Sequence, residues 1–193
     1  MSAGRLPFIT ADRAQDWIAG VVLRRLRVNR DARGLLVETL RRDWEDVFDP
    51  ARRPFAQTYY SVTLPGVARD EDRWHVHQYQ EDRFVVAAGT AVVAIYDARP
   101  SSPTYGRLNL VLLGEAAGDD GQVLVLIPPG TLHGFVCVGS TPCVLMNYPT
   151  QLYNPADEGR VPFAEAGVHM PDGRPFAWDL IRRGWRQPAS DPG

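Results

Sequence analysis

Histidine and acidic side chains are concentrated in one decapeptide of this chain, RWHVHQYQED, at residues 73–82. Two of the four histidines, His75 and His77, lie two positions apart within it, and Asp82 ends it. A third histidine, His133, comes later in the segment PPGTLHGF. Imidazole and carboxylate groups spaced in this way could transfer protons, hold a divalent metal, or simply hydrogen-bond to their neighbours on a strand.

The segments that would position these side chains have the pattern of β-strands. Short apolar and β-branched runs recur with turn residues between them, and no long segment keeps helical periodicity. Examples are GVVLRRLRV, FAQTYYSVTL, RFVVAAGTAVVAIYDAR, RLNLVLLG, QVLVLIPPG and CVLMNYP. This pattern predicts an all-β sandwich or closed barrel. Gly89, inside VVAAGTAVVAI, predicts a tight bend between two strands.

Two short helices are expected outside this β region. One is predicted at Asp12–Ile18, and the other lies in the C-terminal segment FAWDLIRRGWR. We expect Phe176, Trp178 and Ile181 of the C-terminal helix to pack on the barrel. The whole chain is predicted to be a single domain, 1–193, with its core at about 18–162 and a C-terminal extension at 163–193.

The composition of the chain disfavours several kinds of binding partner and several cellular locations. The 21 Lys and Arg residues against 23 Asp and Glu give a net charge of −2, which disfavours nucleic acid and anionic membranes as partners. No apolar run approaches the roughly 18 residues of a membrane-spanning helix, and the N-terminus lacks the apolar stretch of a signal peptide. Two cysteines are too few for a disulfide framework. A cytoplasmic protein is expected.

Strand geometry predicts which side chains of the decapeptide lie together. Residues two apart on a strand point to the same face of the sheet. His75 and His77 would therefore share one face, and Trp74 and Val76 would take the other. Asp82, Phe84 and Val86 would likewise share one face of the next strand.

The spacing of these groups resembles the two motifs of the cupin superfamily. In cupins, two His and a Glu from the first motif meet a His from the second inside a small jelly-roll barrel, and they commonly hold Fe, Mn, Ni or Zn. The resemblance implies a cupin-type jelly-roll β-barrel with a short C-terminal helix, in which the strands of His75 and His133 face each other across the interior. One interpretation is then a metal-dependent cupin, an oxygenase or isomerase on another small molecule, with the divalent metal held by His75, His77, Asp82 and His133. A non-catalytic cupin that binds a ligand is a further alternative.

A narrower resemblance covers about residues 18–162, which are similar to the dTDP-4-dehydrorhamnose 3,5-epimerase family. The segments that carry it are DARGLLVE, QTYYSVTLPGVAR, DARPSSPTYG, IPPGTLHGF and YNPADEGRVPF. In that family a histidine, oriented by an Asp, removes a proton next to the keto group of a nucleotide-linked 4-keto sugar. A Lys and a second His stabilise the enolate, and a Tyr returns a proton on the other face. This chemistry needs no cofactor.

The resemblance implies roles for individual residues. The base falls at His75 and the second histidine at His133, with Tyr148 one residue from the position of the proton-donating tyrosine. The remaining tyrosines, including Tyr59, are interpreted as barrel packing. Substrate-binding positions are Arg33 and Arg69 at the diphosphate, which suits planar guanidinium groups, together with Gln57, Ser61 and Asn147. The family also implies a homodimer formed through N-terminal strands, and GVVLRRLRV would be an edge strand that needs protection.

Three departures from the family pattern keep the alternatives open. Asp82 stands where the family has its Lys, Asn147 where it has its Tyr, and His77 where it has a Gln. An anion at the Lys position would oppose enolate formation. A divalent ion at that point would restore the missing positive charge. The sequence therefore predicts either a metal-free epimerase or isomerase, or a metal-dependent enzyme in the same pocket.

Overall fold

Strands dominate the computed structural model, which describes residues 17–185. Within these residues the strands are β1 (Val22–Arg25), β2 (Val28–Asp31), β3 (Gly34–Val37), β4 (Tyr59–Thr63), β5 (Arg73–His77), β6 (Asp82–Ala88), β7 (Thr90–Asp97), β8 (Leu108–Gly114), β9 (Val123–Ile127), β10 (Thr131–Cys137), β11 (Cys143–Asn147) and β12 (Glu158–Pro162). A 3₁₀ segment, Glu115–Gly121, joins β8 to β9. The short helices α1 (Phe163–Ala166) and α2 (Trp178–Gly184) follow the last strand.

Ten of these strands form two antiparallel sheets of five strands each. The first sheet has the order β1-β9-β6-β11-β4, and the second has the order β12-β5-β10-β7-β8. The strands β2 and β3 form a separate hairpin. This arrangement is a jelly roll of the cupin type, and it confirms the predicted all-β class and the short C-terminal helix.

The core lies between the two sheets. The first sheet contributes Val86 and Leu145, the second contributes Val93 and Phe135, and all four belong to one buried cluster. Alternation along each strand explains this packing, because every second apolar side chain points inward. Burial of apolar surface at about 25 cal/mol per Å² provides the main force that holds the sheets together.

The outer face of the second sheet is covered by the C-terminal segment. Phe176, Trp178 and Ile181 are buried there against Trp74 of β5, as predicted. The Trp74 and Phe176 ring centroids are 4.3 Å apart, and the Trp178 indole N–H donates to the Asp70 carbonyl at 2.7 Å. Since Trp74 is fixed outward, its neighbours on β5 are directed into the barrel.

Gly89 forms the predicted bend between β6 and β7. Its φ of +70° lies in the left-handed region, and a Cβ at this position would come within 2.5 Å of the Pro142 carbonyl oxygen. Glycine is therefore required for the close approach of two backbones as well as for the turn. The helix predicted at Asp12–Ile18 lies outside the described residues except for its last two positions, which are not helical.

One prediction about strand positions was wrong. The strands of His75 and His133 do not face each other across the interior; β5 and β10 are hydrogen-bonded neighbours in one sheet, with these two residues in register. The strands opposite them carry Asp82 and Asn147. No helix within the described residues has the length and apolar character needed to cross a membrane.

Candidate active site

Three histidines meet on the inner face of the second sheet. His75 and His77 are alternate residues of β5, with ring centroids 4.5 Å apart, and Trp74 lies on the opposite face as predicted. The ring of His133 on β10 stacks on that of His75 at 5.2 Å and lies 6.2 Å from that of His77. Strand pairing thus brings together imidazoles that are far apart in the sequence.

A buried carboxylate from the other sheet faces these rings. Asp82 begins β6; its Oδ2 lies 3.1 Å from Nε2 of His133 and 3.7 Å from Nε2 of His77. Its Oδ1 accepts hydrogen bonds from the side-chain amides of Gln80 at 2.9 Å and Asn147 at 2.8 Å. Burial by itself would raise the pKa of Asp82, but His133, His77 and the Asn147 amide outweigh it and hold the pKa below its usual value. The carboxylate is therefore ionised.

His75 is a neutral imidazole in this environment. Burial lowers the pKa of His75 to about 3, and the charges of His133, His77 and Arg160 act in the same direction. Its Nε2 lies 3.5 Å from a carboxylate oxygen of Glu158 on the adjacent strand β12. A neutral ring with a carboxylate beside it can accept a proton and have the resulting cation stabilised.

His77 is held by a second acid. Its Nδ1 lies 3.6 Å from Oδ2 of Asp157, and its Nε2 is 3.0 Å from the Gln80 side-chain amide. The Asp157 carboxylate also accepts the backbone N–H groups of Gln78, Tyr79 and Gln80 at 2.8 to 3.0 Å. Asp157 therefore fixes the turn after β5, and with it the amide that contacts Asp82.

Three imidazole nitrogens in this cluster are buried without an aligned hydrogen bond in the part of the chain that the structure describes: Nε2 of His75, Nε2 of His133 and Nδ1 of His77. Buried polar atoms in proteins nearly always have a partner, so unpaired ones indicate where a ligand binds. The other ring nitrogen of His133 lies 3.2 Å from the Thr131 carbonyl oxygen. Oxygen atoms therefore lie beside both ring nitrogens of His133, at Asp82 and at Thr131.

The predicted metal ligands lie together, with Nε2 of His77 and of His133 beside Asp82, but Nε2 of His75 lies beside Glu158 instead. His75 directs Nε2 to Glu158, whereas Asp82 already accepts from two amides through Oδ1. Among residues 17–185, no group of three or more His, Cys, Asp or Glu side chains is arranged to hold a metal ion. The metal site at His75, His77, Asp82 and His133 therefore stays a prediction, and the arrangement seen here is a network of hydrogen bonds and ion pairs.

Several predicted substrate residues lie along one wall of the barrel. Ser61 of β4 pairs with Leu145, a core residue of β11, so its side chain belongs to the inner face. Gln57 lies just before this strand and donates to a backbone carbonyl at 3.4 Å. Arg69 lies beyond the other end of β4, where its guanidinium donates to the Thr63 hydroxyl at 3.1 Å. These residues and Asn147 lie at the edge of the first sheet that is formed by β4 and its neighbour β11.

Two predicted site residues are not brought to the histidines. The side chain of Arg33 is 90% exposed at the tip of the β2–β3 hairpin, where it pairs with Asp31. The hydroxyl of Tyr148 is 2.6 Å from that of Thr39, and its ring is buried in a cluster on the outer face of the first sheet. Alternation from the inward Asn147 explains this orientation. Tyr148 is therefore removed from the candidate catalytic set.

The sequence analysis missed four side chains of the pocket, one of which is Gln80, whose amide contacts His77 and Asp82. Tyr59 has the same strand parity as Gln57 and Ser61, so alternation could have identified it. Asp157 and Glu158 lie in the segment YNPADEGRVPF, where the acidic pair gave a weak signal. Their contacts with His77 and His75 depend on the pairing of β12 with β5, which no local pattern predicts.

Comparison with known proteins identifies the family. Residues 15–172 match the family model described as dTDP-4-dehydrorhamnose 3,5-epimerase. This chain belongs to that family. This match covers more than half of the chain. It confirms the resemblance seen in the sequence motifs.

Two similar proteins and one similar crystal structure agree with this assignment. The probable low-salt glycan biosynthesis epimerase Agl13 of Haloferax volcanii is 43% identical over 150 residues, which cover 76% of this chain and 88% of that protein. The spore coat polysaccharide biosynthesis protein SpsL of Bacillus subtilis is 34% identical over 153 residues, covering 78% and 93%. The crystal structure of a dTDP sugar isomerase from Desulfovibrio desulfuricans G20 is similar with a TM-score of 0.71 at 29% identity, covering 84% and 92%.

The lowered pKa of His75 predicts a pH-dependent loss of stability. The unfolded chain binds a proton at a pKa near 6.5, whereas the folded pKa is about 3. The contribution of His75 is thus fully present above pH 6.5 and falls as the pH drops toward 3, by at most about 1.4 kcal/mol per pH unit. We expect His75→Asn to lose less unfolding free energy than the wild type between about pH 7.5 and about pH 5 in urea titrations.

The matched control for this measurement is His169→Asn, which removes an exposed histidine outside the pocket. It should keep the pH dependence of the wild type. Identical pH dependence in all three proteins would contradict a buried, neutral His75.

Proposed function

We propose that this protein is an epimerase that acts on a nucleotide-linked 4-keto sugar by removing a proton next to the keto group. The observation that carries the proposal is the pair of inward, stacked imidazole rings of His75 and His133, whose Nε2 atoms lie 3.5 Å from Glu158 and 3.1 Å from Asp82. One belongs to a neutral ring and the other lies beside an ionised carboxylate. The family and the epimerases among its relatives support this chemistry.

His75 is the base of the proposed reaction. Its neutral ring accepts the proton from the sugar carbon, and Glu158, 3.5 Å from Nε2, stabilises the imidazolium that forms. The lowered pKa of His75 keeps the ring available as an acceptor at neutral pH. The proposed step needs no cofactor, because the neighbouring keto group receives the electron pair of the broken C–H bond.

The enolate is stabilised by His133 in place of the family's Lys. Asp82 stands at the Lys position, and its negative charge is compensated by two amide donors and by the adjacent imidazole. An N–H on Nε2 of His133, 3.1 Å from Asp82, would be shared between this carboxylate and the keto oxygen of the bound sugar. A donor that is already oriented before the reaction stabilises the developing charge without reorganisation. The charge reversal at residue 82 is therefore compatible with enolate chemistry.

The nucleotide part of the substrate is proposed to bind along β4. Arg69 at the end of this strand provides a guanidinium for the diphosphate, and Gln57 and Ser61 line the path toward the histidines. A nucleotide-linked substrate fits the cytoplasmic location expected from the sequence.

We expect the enzyme to form a homodimer through its N-terminal strands. β1 is an edge of the first sheet, and the β2–β3 hairpin exposes Leu35 and Leu36, which are 53% and 61% accessible. Exposed apolar side chains beside an open edge favour pairing with a second copy. Light scattering should give twice the chain mass of 21.5 kDa, and Leu36→Asp should shift the protein toward the monomer. A wild-type monomer at micromolar concentration would refute the dimer.

The role of His75 can be tested by solvent deuterium exchange. With a dTDP-linked 4-keto-6-deoxy sugar in D₂O, the wild type should introduce deuterium next to the keto group. His75→Asn should slow this exchange by roughly 10³-fold, because the base is lost, while dTDP affinity stays within about threefold. His169→Asn again provides the control and should exchange at the wild-type rate. Exchange by His75→Asn at the wild-type rate would rule out His75 as the base.

A further inference from the structure

The position of the family's proton-donating tyrosine is occupied by a residue that cannot perform its task. Asn147 is fully buried on the inner face of β11 and has no ionisable proton at neutral pH. Tyr148, the next residue, directs its hydroxyl to Thr39 on the outer face. An epimerase must return a proton to the face opposite the base, so another group in the pocket has to provide it.

A phenol hydroxyl lies directly beside Asn147. Tyr59 of β4 is its register partner, and the Asn147 side-chain amide donates to the Tyr59 oxygen at 2.8 Å. The same amide nitrogen donates to Asp82 at 2.8 Å. Because the Tyr59 oxygen accepts this bond, its own proton remains available. No side chain within residues 17–185 is found to accept that proton.

Tyr59 and His75 stand on opposite sheets of the barrel. His75 belongs to the sheet that contains β5 and β10, whereas Tyr59 belongs to the edge strand of the sheet that contains β11. A sugar ring bound between the two sheets would present one face to each residue. This is the arrangement that inversion at carbon requires: one sheet removes a proton and the other delivers one.

We infer that Tyr59 is the catalytic acid that protonates the enolate on the face opposite His75, an assignment that rests on the proposed epimerase function. The hydroxyl would then come from β4, the strand that pairs with β11 at Asn147, and not from β11 itself. In the step, the Tyr59 O–H bond breaks as the new C–H bond forms. The phenolate then regains a proton from water, and the His75 imidazolium releases its proton to water.

The surroundings of Tyr59 suit a proton donor. Burial raises the pKa of Tyr59, and the negative charge of Asp82 acts in the same direction, so the phenol keeps its proton at neutral pH. The residue is nevertheless 48% accessible, which gives water access for reprotonation. Asn147 holds the oxygen in place by donating to it, so the hydrogen bond that orients Tyr59 does not consume its proton.

The test separates proton removal from inversion. Wild type and Tyr59→Phe are each incubated with a dTDP-linked 4-keto-6-deoxy sugar in D₂O, and NMR records deuterium incorporation and configuration separately. Without the acid, His75 can still remove a proton and return a deuteron to the same face. We expect Tyr59→Phe to keep exchange within about threefold of wild type while inversion slows at least roughly 100-fold. Tyr60→Phe, an outward neighbour, should retain both rates.

Each outcome has a distinct meaning. Inversion by Tyr59→Phe at the wild-type rate would overturn the assignment of Tyr59 and leave the proposed function intact. Equal loss of exchange and inversion would also overturn the assignment, because a structural role of Tyr59 affects both rates. Unchanged dTDP affinity and an unchanged thermal unfolding temperature confirm that the variant is folded. A wild-type protein that neither exchanges nor inverts this substrate would instead contradict the proposed function.

Discussion

A buried negative charge determines how this site is organised. Asp82 is 3% accessible, and an ionised carboxylate in a protein interior costs several kcal/mol unless hydrogen bonds and opposite charge compensate it. Compensation comes from Gln80, Asn147 and His133, which belong to the turn after β5, to β11 and to β10. One carboxylate thus connects both sheets at the point where the substrate is proposed to bind. The orientation of the Asn147 amide, and with it that of Tyr59, follows from this requirement.

The same requirement explains how the family's chemistry can accommodate an acid at a lysine position. A lysine supplies a mobile point charge. The pair of Asp82 and His133 instead supplies a directed N–H, which belongs to the imidazole of His133. The imidazole of this pair also stacks on the ring of His75, with the two ring centroids 5.2 Å apart. The residues at the lysine and tyrosine positions, Asp82 and Asn147, contact each other through a hydrogen bond of 2.8 Å. Asn147 compensates the new carboxylate, and Tyr59 across the strand pair is left to provide the hydroxyl.

The sequence predicts those features that depend on neighbours along the chain. Alternation correctly directed His75 and His77 inward and Trp74 outward, and the glycine signal correctly located the bend at Gly89. Family motifs correctly identified the fold and the family. The short C-terminal helix and its buried aromatic residues were also correct, because a strong apolar pattern marks them.

The features that failed depend on which strands become neighbours. Adjacency of β5 and β10 and pairing of β12 with β5 arise from long-range hydrogen bonding, so neither the stacking of His75 on His133 nor the contact of Glu158 with His75 was foreseen. The metal site stays a prediction, which relied on residue types and could not include the amide donors that occupy Asp82. Tyr148 was selected by its place in the sequence, although strict alternation would have favoured Tyr59.

The central claim is that the Asp82–His133 pair replaces the lysine in binding the keto oxygen. A crystal structure with a bound dTDP-linked 4-keto sugar tests this most directly. The account predicts the keto oxygen within about 3 Å of Nε2 of His133, and the adjacent ring carbon within about 3.5 Å of Nε2 of His75. A keto oxygen directed away from His133, or a metal ion between the sugar and Asp82, would contradict it.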